Sequence, residues 1–360
     1  MSKAILYMYG RSSQKLSVSS QQHINKLIVE HKPTYSNLVY FPSVVQSRIT
    51  HWKKYLPSIY PYYAIKSNPS DEILKTLSEY NVGYDVASYQ EAAKAKKYCH
   101  NHPIIYSNTV KVDPEATFEY LNRKNDEKSS LCGHNQPLIT VVDTEAELDM
   151  VKRLAPKAKV LWRIAIPETT GATTTFSKKF GTSINNDNDI RNLLQSLNHN
   201  IDGIHFHGGS GRFDPLQLIN PYSGLMKGIE LGRQAVTIGR SLGHKMSILD
   251  IGGGFPACHV SVSICNVIEN AIKWTHHQNV SVISESGRHI CGDSMALIMR
   301  NIRGRIKNNN QCYHINDGVY HAFNSKLMDG FKFETLNGKH IYILLHLWMR
   351  HSHLPMPVYK

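Results

Sequence analysis

Short β-rich runs alternate with helix-length stretches along most of this chain, and that rhythm restricts it to a small set of folds. The runs at 38–41, 62–65, 84–86, 104–106, 138–142, 160–164, 204–207, 248–251 and 280–283 read as strands. Helical patterns fill several intervals, at 71–79, 88–98, 144–154, 187–197 and 221–242. Strands separated by helices of this length are the signature of parallel βα units. About eight such units over roughly 240 residues fit a TIM-like (β/α)8 barrel better than a doubly wound sheet.

From about Met295 the helices stop. Apolar runs at 296–302, 312–315 and 340–345 follow one another with hairpin-like spacers. Residues 1–37 are polar, with room for one strand and a short helix. The expected fold is therefore α/β: a barrel over 38–292, plus a mostly antiparallel β-sheet domain built from 1–37 and 293–360. The charged stretch 122–136 is expected to be a surface loop.

Hydrophobic residues make up 41% of the 360, enough for a sizeable core. The net charge of +13 is scattered. Its densest patch, Arg300, Arg303, Arg305 and Lys307, alternates with apolar residues and reads as a strand with a basic outer face rather than a nucleic-acid surface. The six cysteines form no C-x-x-C pair, which argues against a zinc knuckle, and they are too few for a disulfide scaffold. The first apolar run is too short for a signal core or a membrane span, so a soluble cytoplasmic protein is expected.

Chemistry-bearing residues recur at strand ends, where barrel active sites sit. Lys66 ends the run in PYYAIKSN. Burial there is expected to lower its pKa and free the amine to attack a carbonyl. An ordinary solvated lysine is the alternative. In HFHGGSG, His205 and His207 share one face of a strand. The glycines and the Ser210 hydroxyl that follow can approach an anion, or form a plain tight turn. The histidine pair can also ligate a metal, although no third ligand follows it nearby; no metal is expected. DIGGGFP, with Gly252, Gly253 and Gly254, is the stronger phosphate site, because a strand runs into glycines and on toward a helix. Its loose dinucleotide pattern through Ala257 is interrupted by Pro256. Glu285 ends another strand and can hold a ring nitrogen protonated or pair with Arg288. Asp85, in YDVAS, can orient the lysine.

Taken together, PYYAIKSN, GYDVAS with Glu91 after it, KKFG (178–181), HFHGGSG, LDIGGGFP, SESGR and NDGVYHAFN (316–324) resemble the ornithine decarboxylase family of fold type III pyridoxal-phosphate enzymes, in order and spacing over about 36–335. The resemblance implies decarboxylation of a basic amino acid, L-ornithine to putrescine foremost. It implies an internal Schiff base on Lys66 and ring stacking by His207. Ser210, Gly252, Gly253, Gly254, Gly287 and Arg288 would hold the phosphate, and Glu285 the pyridinium nitrogen. Asp85 and Arg163 would line the cofactor site, and Asp329 would meet the substrate's distal amine. It further implies a homodimer, or a heterodimer with a full-length homologue.

The family carries a Gly-Pro-x-Cys-Asp segment near where this chain runs LLHLWMRHSHLPMPVYK (344–360). Here Cys312 is the last cysteine and Asp329 the last aspartate. Ser286 also stands where the family has proline. A frame shift, splice difference or truncation is the expectation, with reduced decarboxylation. The alternative is an inactive homologue that acts as a binding regulator, as antizyme inhibitors do.

Overall fold

The computed structural model describes residues 4–8, 18–31, 36–98, 102–122, 137–167, 179–210, 214–307, 310–315, 317 and 358–359. Its strands are β1 (Ala4–Met8), β2 (Asn37–Tyr40), β3 (Ile59–Ala64), β4 (Gly83–Val86), β5 (Ile104–Tyr106), β6 (Ile139–Val142) and β7 (Lys159–Ala165). They continue as β8 (Thr182–Ser183), β9 (Gly203–His205), β10 (Ile248–Asp250), β11 (Ser281–Glu285), β12 (Met295–Lys307), β13 (Asn310–Ile315) and β14 (Val358–Tyr359).

The chain divides into two compact units, 46–290 and 1–45 with 291–360. In the first, β3, β4, β5, β6, β7, β9, β10 and β11 pair in that order, and the β6–β7 ladder makes the sheet continuous between its halves. With β11 paired to β3, the eight strands close on themselves. Every one of these ladders is parallel, as βα connections require. Strands buried on both faces need continuous apolar runs rather than alternation, and β4 and β6 are buried at every position. The expected (β/α)8 barrel is present.

The helices begin where capping chemistry allows. The Thr144 side chain accepts from the Glu147 N–H at the start of Glu145–Leu154. Ser223 caps Gly224–Ser241 in the same way, through the Met226 N–H, and this starts the helix three residues later than the sequence period indicates. Inside the barrel, Tyr62, Ile105, Ile139, Val141, Leu161, Ile248 and Ile283 form one apolar cluster.

In the second unit, β12 pairs antiparallel with β1, β2 and β13, and β14 joins β2 in parallel. The helix Val18–His31 buries Ile24 and Leu27 against Val39, Phe41, Ala296 and Ile298, as spacing of one helical turn demands. The run at 38–41, grouped by its sequence with the barrel, is a strand of this sheet instead. Its ladder partners are Met295 to Ile298, which no local pattern announces. The expected run at 340–345 lies outside the described residues, as does the expected loop at 122–136 apart from Asn122, which ends the helix Pro114–Asn122.

Candidate active site

Strand periodicity builds the site. Side chains two apart share a face. Two residues beyond the core positions Leu161, Ile248 and Ile283 come Arg163, Asp250 and Glu285, and two beyond Gly203 comes His205. Strand register puts Arg163 beside His205 and His205 beside Asp250. Asp85 lies opposite the core residue Ile105. The apolar filling of the barrel thus gives way to a layer of ionisable groups at the C-terminal ends of the strands.

Lys66 sits in the short turn Ile65–Ser67 that ends β3. Its Nζ lies 3.3 Å from Asp85 Oδ2, on the neighbouring strand β4. The lysine side chain is 54% exposed and the Asp85 side chain 1%, so the amine is reachable while its counter-charge is not. The expectation of a lowered lysine pKa is overturned. Asp85 above all, then Glu285 and Glu91, hold the ammonium above the ordinary lysine range, against the opposing effect of burial. Burial, with Glu285, pushes the Asp85 carboxyl up to about 7, while Lys66 and the Ser107 hydroxyl pull it back. In its ionised form Asp85 is the counter-ion of the Lys66 ammonium.

Glu285 ends β11, on the other side of β3, and is buried. Its Oε1 lies 3.4 Å from His205 Nε2. That contact is too poorly aligned for a hydrogen bond, and Oε1 and both ring nitrogens of His205 are buried atoms with no hydrogen-bond partner. Burial opposes ionisation of Glu285, but the facing groups outweigh it and keep the carboxyl below its usual range. Burial also drives His205 down and His207 down to about 3, so both imidazoles are neutral at pH 7. The pull on Glu285 comes first from His205 and then from Lys66 and His207. Arg163, half-buried, packs its guanidinium 4.9 Å from the Phe180 ring centroid, and burial lowers its pKa. Asp250 is buried, and burial pushes its carboxyl well up.

The two glycine turns meet at this layer. Gly252 has φ +63, and a Cβ there would lie 2.5 Å from the Phe206 carbonyl oxygen, so only glycine fits. Gly253 passes so close that a Cβ would lie 3.3 Å from His207 Nε2. His207 Nδ1 accepts from the Gly209 N–H at 3.1 Å. Arg288 Nη2 donates to Ser210 Oγ at 3.4 Å, which joins the SESGR segment to the HFHGGSG turn. Glu285 pairs with His205, not with Arg288 as the alternative reading had it. Gly287 abuts Ser67, one residue from the lysine. Asp329 and Gly211 lie outside the described residues.

Three contributors escaped the sequence reading. Ser107, just past β5, donates to Asp85 Oδ1. Its strand-end position was the available signal. Ser284 donates to the Gly252 carbonyl at 2.8 Å and bonds Ser286 at 2.9 Å, so the serine in place of the family's proline helps tie β11 to the glycine turn. Asp250 accepts from the Gly252 N–H at 2.8 Å and shapes that turn from below. The third metal-ligand type that the sequence lacked near the histidines is supplied by the fold: His205, Asp250 and Glu285 hold ligand atoms within 4.8 Å of one another.

A family model described as pyridoxal-dependent decarboxylase, pyridoxal binding domain, matches residues 43–292. An ornithine decarboxylase of Schizosaccharomyces pombe is 27% identical over 313 residues, covering 86% of this chain and 67% of the relative. Ornithine decarboxylase of Rattus norvegicus is 29% identical over 299 residues, covering 77% of this chain but 60% of the rat protein, so the chain spans less than two thirds of that relative's length. Among solved structures, the arginine decarboxylase of Paramecium bursaria Chlorella virus bound to agmatine superposes with a TM-score of 0.73 at 27% identity, covering 86% of this chain and 79% of the viral one.

Proposed function

The chain belongs to the pyridoxal-dependent decarboxylase family, and on that premise we propose that it decarboxylates a basic amino acid, L-ornithine foremost, yielding putrescine and carbon dioxide. Its cofactor is pyridoxal phosphate. The observation that carries the proposal is the meeting of Lys66, Asp85 and Glu285 at the ends of three adjacent strands, β3, β4 and β11.

The residues fit the cofactor. Lys66 would offer the amine that takes up an aldehyde once its proton passes to a base, for which Asp85 lies 3.3 Å away. Glu285, buried at the end of β11 with its carboxyl held below the usual range, offers a carboxylate oxygen that a protonated ring nitrogen would satisfy. Ser210, Arg288 and the backbone of 252–254 suit a dianionic phosphate. When bound, the cofactor supplies an electron sink for the pair left as the substrate carboxylate departs as carbon dioxide.

The protein's own part is binding, placement and charge. Asp85 fixes the position of Nζ and keeps a proton on it, so Lys66 is poised to exchange protons with an adjacent substrate carbon or amine. An ionised Glu285 favours a protonated ring across from it. The half-buried, neutral His207 offers a flat face for stacking. Arg163, beside His205, adds positive charge on the side away from Lys66.

Ornithine is favoured by the names of the two sequence relatives, and Asp329 is proposed from the family resemblance for the distal amine. The resemblance also supports a cytoplasmic homodimer or a heterodimer with a homologue. No helix among the described residues is long and apolar enough to cross a membrane.

The test is carbon dioxide release from L-ornithine, L-lysine and L-arginine by the purified, cofactor-loaded chain. Fastest turnover of ornithine supports the proposal. Faster lysine or arginine turnover replaces the substrate. Lysine-bound cofactor with no release from any of the three favours the binding-regulator reading.

A further inference from the structure

His205 stands out because the proposed chemistry does not use it, yet it is 1% exposed in the middle of the ionisable layer. A buried imidazole is retained at a cost unless its nitrogens find partners. Here neither nitrogen has one, and the nearest complementary atom, Glu285 Oε1 at 3.4 Å, lacks one as well. A small rotation of either side chain closes this contact into a hydrogen bond. Asp250, on the neighbouring strand and in register with His205, has its own buried Oδ2 without a partner. These vacant positions cluster where Glu285 is proposed to face the ring nitrogen.

The same three side chains have the donor set of a divalent-cation site. Lys66 and Arg163 direct positive charge at them, which opposes a bare cation there. A carboxylate that must hold a fixed direction toward a ring nitrogen accounts for the cluster better. Its second oxygen needs a rigid neighbour, and outer groups that orient a binding group commonly change its affinity about 10–100-fold when removed, by analogy with the partners of metal ligands.

We infer that His205 is a positioning residue that holds the Glu285 carboxylate through Nε2 and thereby completes the ring-nitrogen end of the cofactor site. This rests on the proposed role of Glu285. Groups facing His205 are Arg163 from β7, Asp250 from β10, Glu285 from β11, Lys66 after β3, and His207 on its own segment. In the working site, Nε2 would carry the proton and donate to Oε1, which would leave the other carboxylate oxygen of Glu285 for the cofactor's ring nitrogen.

The experiment uses the full chain loaded with pyridoxal phosphate, and two readouts. One is the pH midpoint of the visible absorbance of the lysine-bound cofactor. The other is the rate of cofactor loss under competition. His205→Ala is expected to move the midpoint to lower pH and to speed cofactor loss about tenfold. His205→Gln, whose amide reaches the Nε2 position, is expected to restore both, and His205→Asn, whose amide falls short, is not. If His205→Ala fails to fold, the contrast between Gln and Asn carries the test alone. A midpoint and loss rate that are the same in all three variants and the parent overturn the inference. Glu285→Gln separates the two claims. A midpoint moved by Glu285→Gln but not by His205→Ala removes only the role of His205. A midpoint unmoved by Glu285→Gln removes the role of Glu285, and the inference falls with it.

Discussion

Asp85 uses both carboxylate oxygens across three successive strands of the barrel: Oδ2 lies 3.3 Å from Lys66 Nζ, and Oδ1 accepts the Ser107 hydroxyl. The pair joins the ends of β3 and β4, and the serine adds the end of β5. One buried carboxylate therefore sets the position, charge and surroundings of the proposed reactive amine.

Lys66→Ala should abolish lysine-bound cofactor. The visible absorbance of the loaded chain and all carbon dioxide release should vanish together, and the melting temperature of the cofactor-free chain should fall, because the buried Asp85 carboxylate loses its counter-ion. Retained absorbance in the variant would place the attachment on another lysine.

Removing the counter-charge should free the amine. Asp85 is the largest influence raising Lys66, so Asp85→Asn should let Nζ lose its proton at lower pH. The pH at which cofactor attaches at half-maximal rate should fall by about 1–3 units, the usual effect of one adjacent opposite charge. An unmoved pH profile would show that Asp85 does not govern the charge of the amine.

Ser107→Ala should cost about 1–3 kcal/mol of stability, because it takes a donor from a fully buried carboxylate. Denaturant midpoints measure it. A loss below a few tenths of a kcal/mol would mean that another donor replaces the hydroxyl.

Gly252→Ala should destabilise the chain more than Gly243→Ala. Both glycines have positive φ, +63 and +92. A methyl at Gly252 would meet the Phe206 carbonyl oxygen at 2.5 Å, whereas at Gly243 nothing lies within 4 Å. The second substitution carries only backbone strain, about 1–2 kcal/mol. The first adds a clash with backbone that cannot rotate away, and should also weaken phosphate binding. Equal losses in thermal melts would refute the clash.

Acid should weaken the cofactor-free chain through its buried histidines. His289 donates Nδ1–H to the Pro256 carbonyl at 2.9 Å, and burial lowers its pKa to about 3. The unfolded value is about 6.5. The unfolded chain thus takes up the proton first, so this contribution is complete above about pH 6.5 and declines as pH falls toward the folded value. Between about pH 7 and pH 5 the loss is ~2 kcal/mol for each such histidine. His289→Asn, which keeps a donor for Pro256, should flatten the slope by that share. An unchanged slope would mean that His289 is not buried neutral. His205 and His207 act in the same direction, while Asp85 and Asp250, whose carboxyls burial raises, act in the opposite one.

The barrel was legible in the linear chain because its signals are local. A short, continuous β-branched run marks a strand such as Ile139–Val142, and a period near four with a Thr144 cap marks the helix after it. Placing Lys66, Asp85 and Glu285 at strand ends followed from the same signals, since parallel strands all present their C-terminal ends to one side. What the three do to one another did not follow. The charge on Lys66, the contact between His205 and Glu285, the Ser107 bond to Asp85 and the assignment of Asn37–Tyr40 to the other sheet all depend on which strands lie side by side. Neighbours separated by tens to hundreds of residues are brought within a few ångströms by ladder register and barrel closure. Electrostatic energy falls with distance and rises with burial, so the expected burial of Lys66 pointed to a lowered pKa, and only the fold, by setting a buried carboxylate against it, holds the ammonium above its ordinary range.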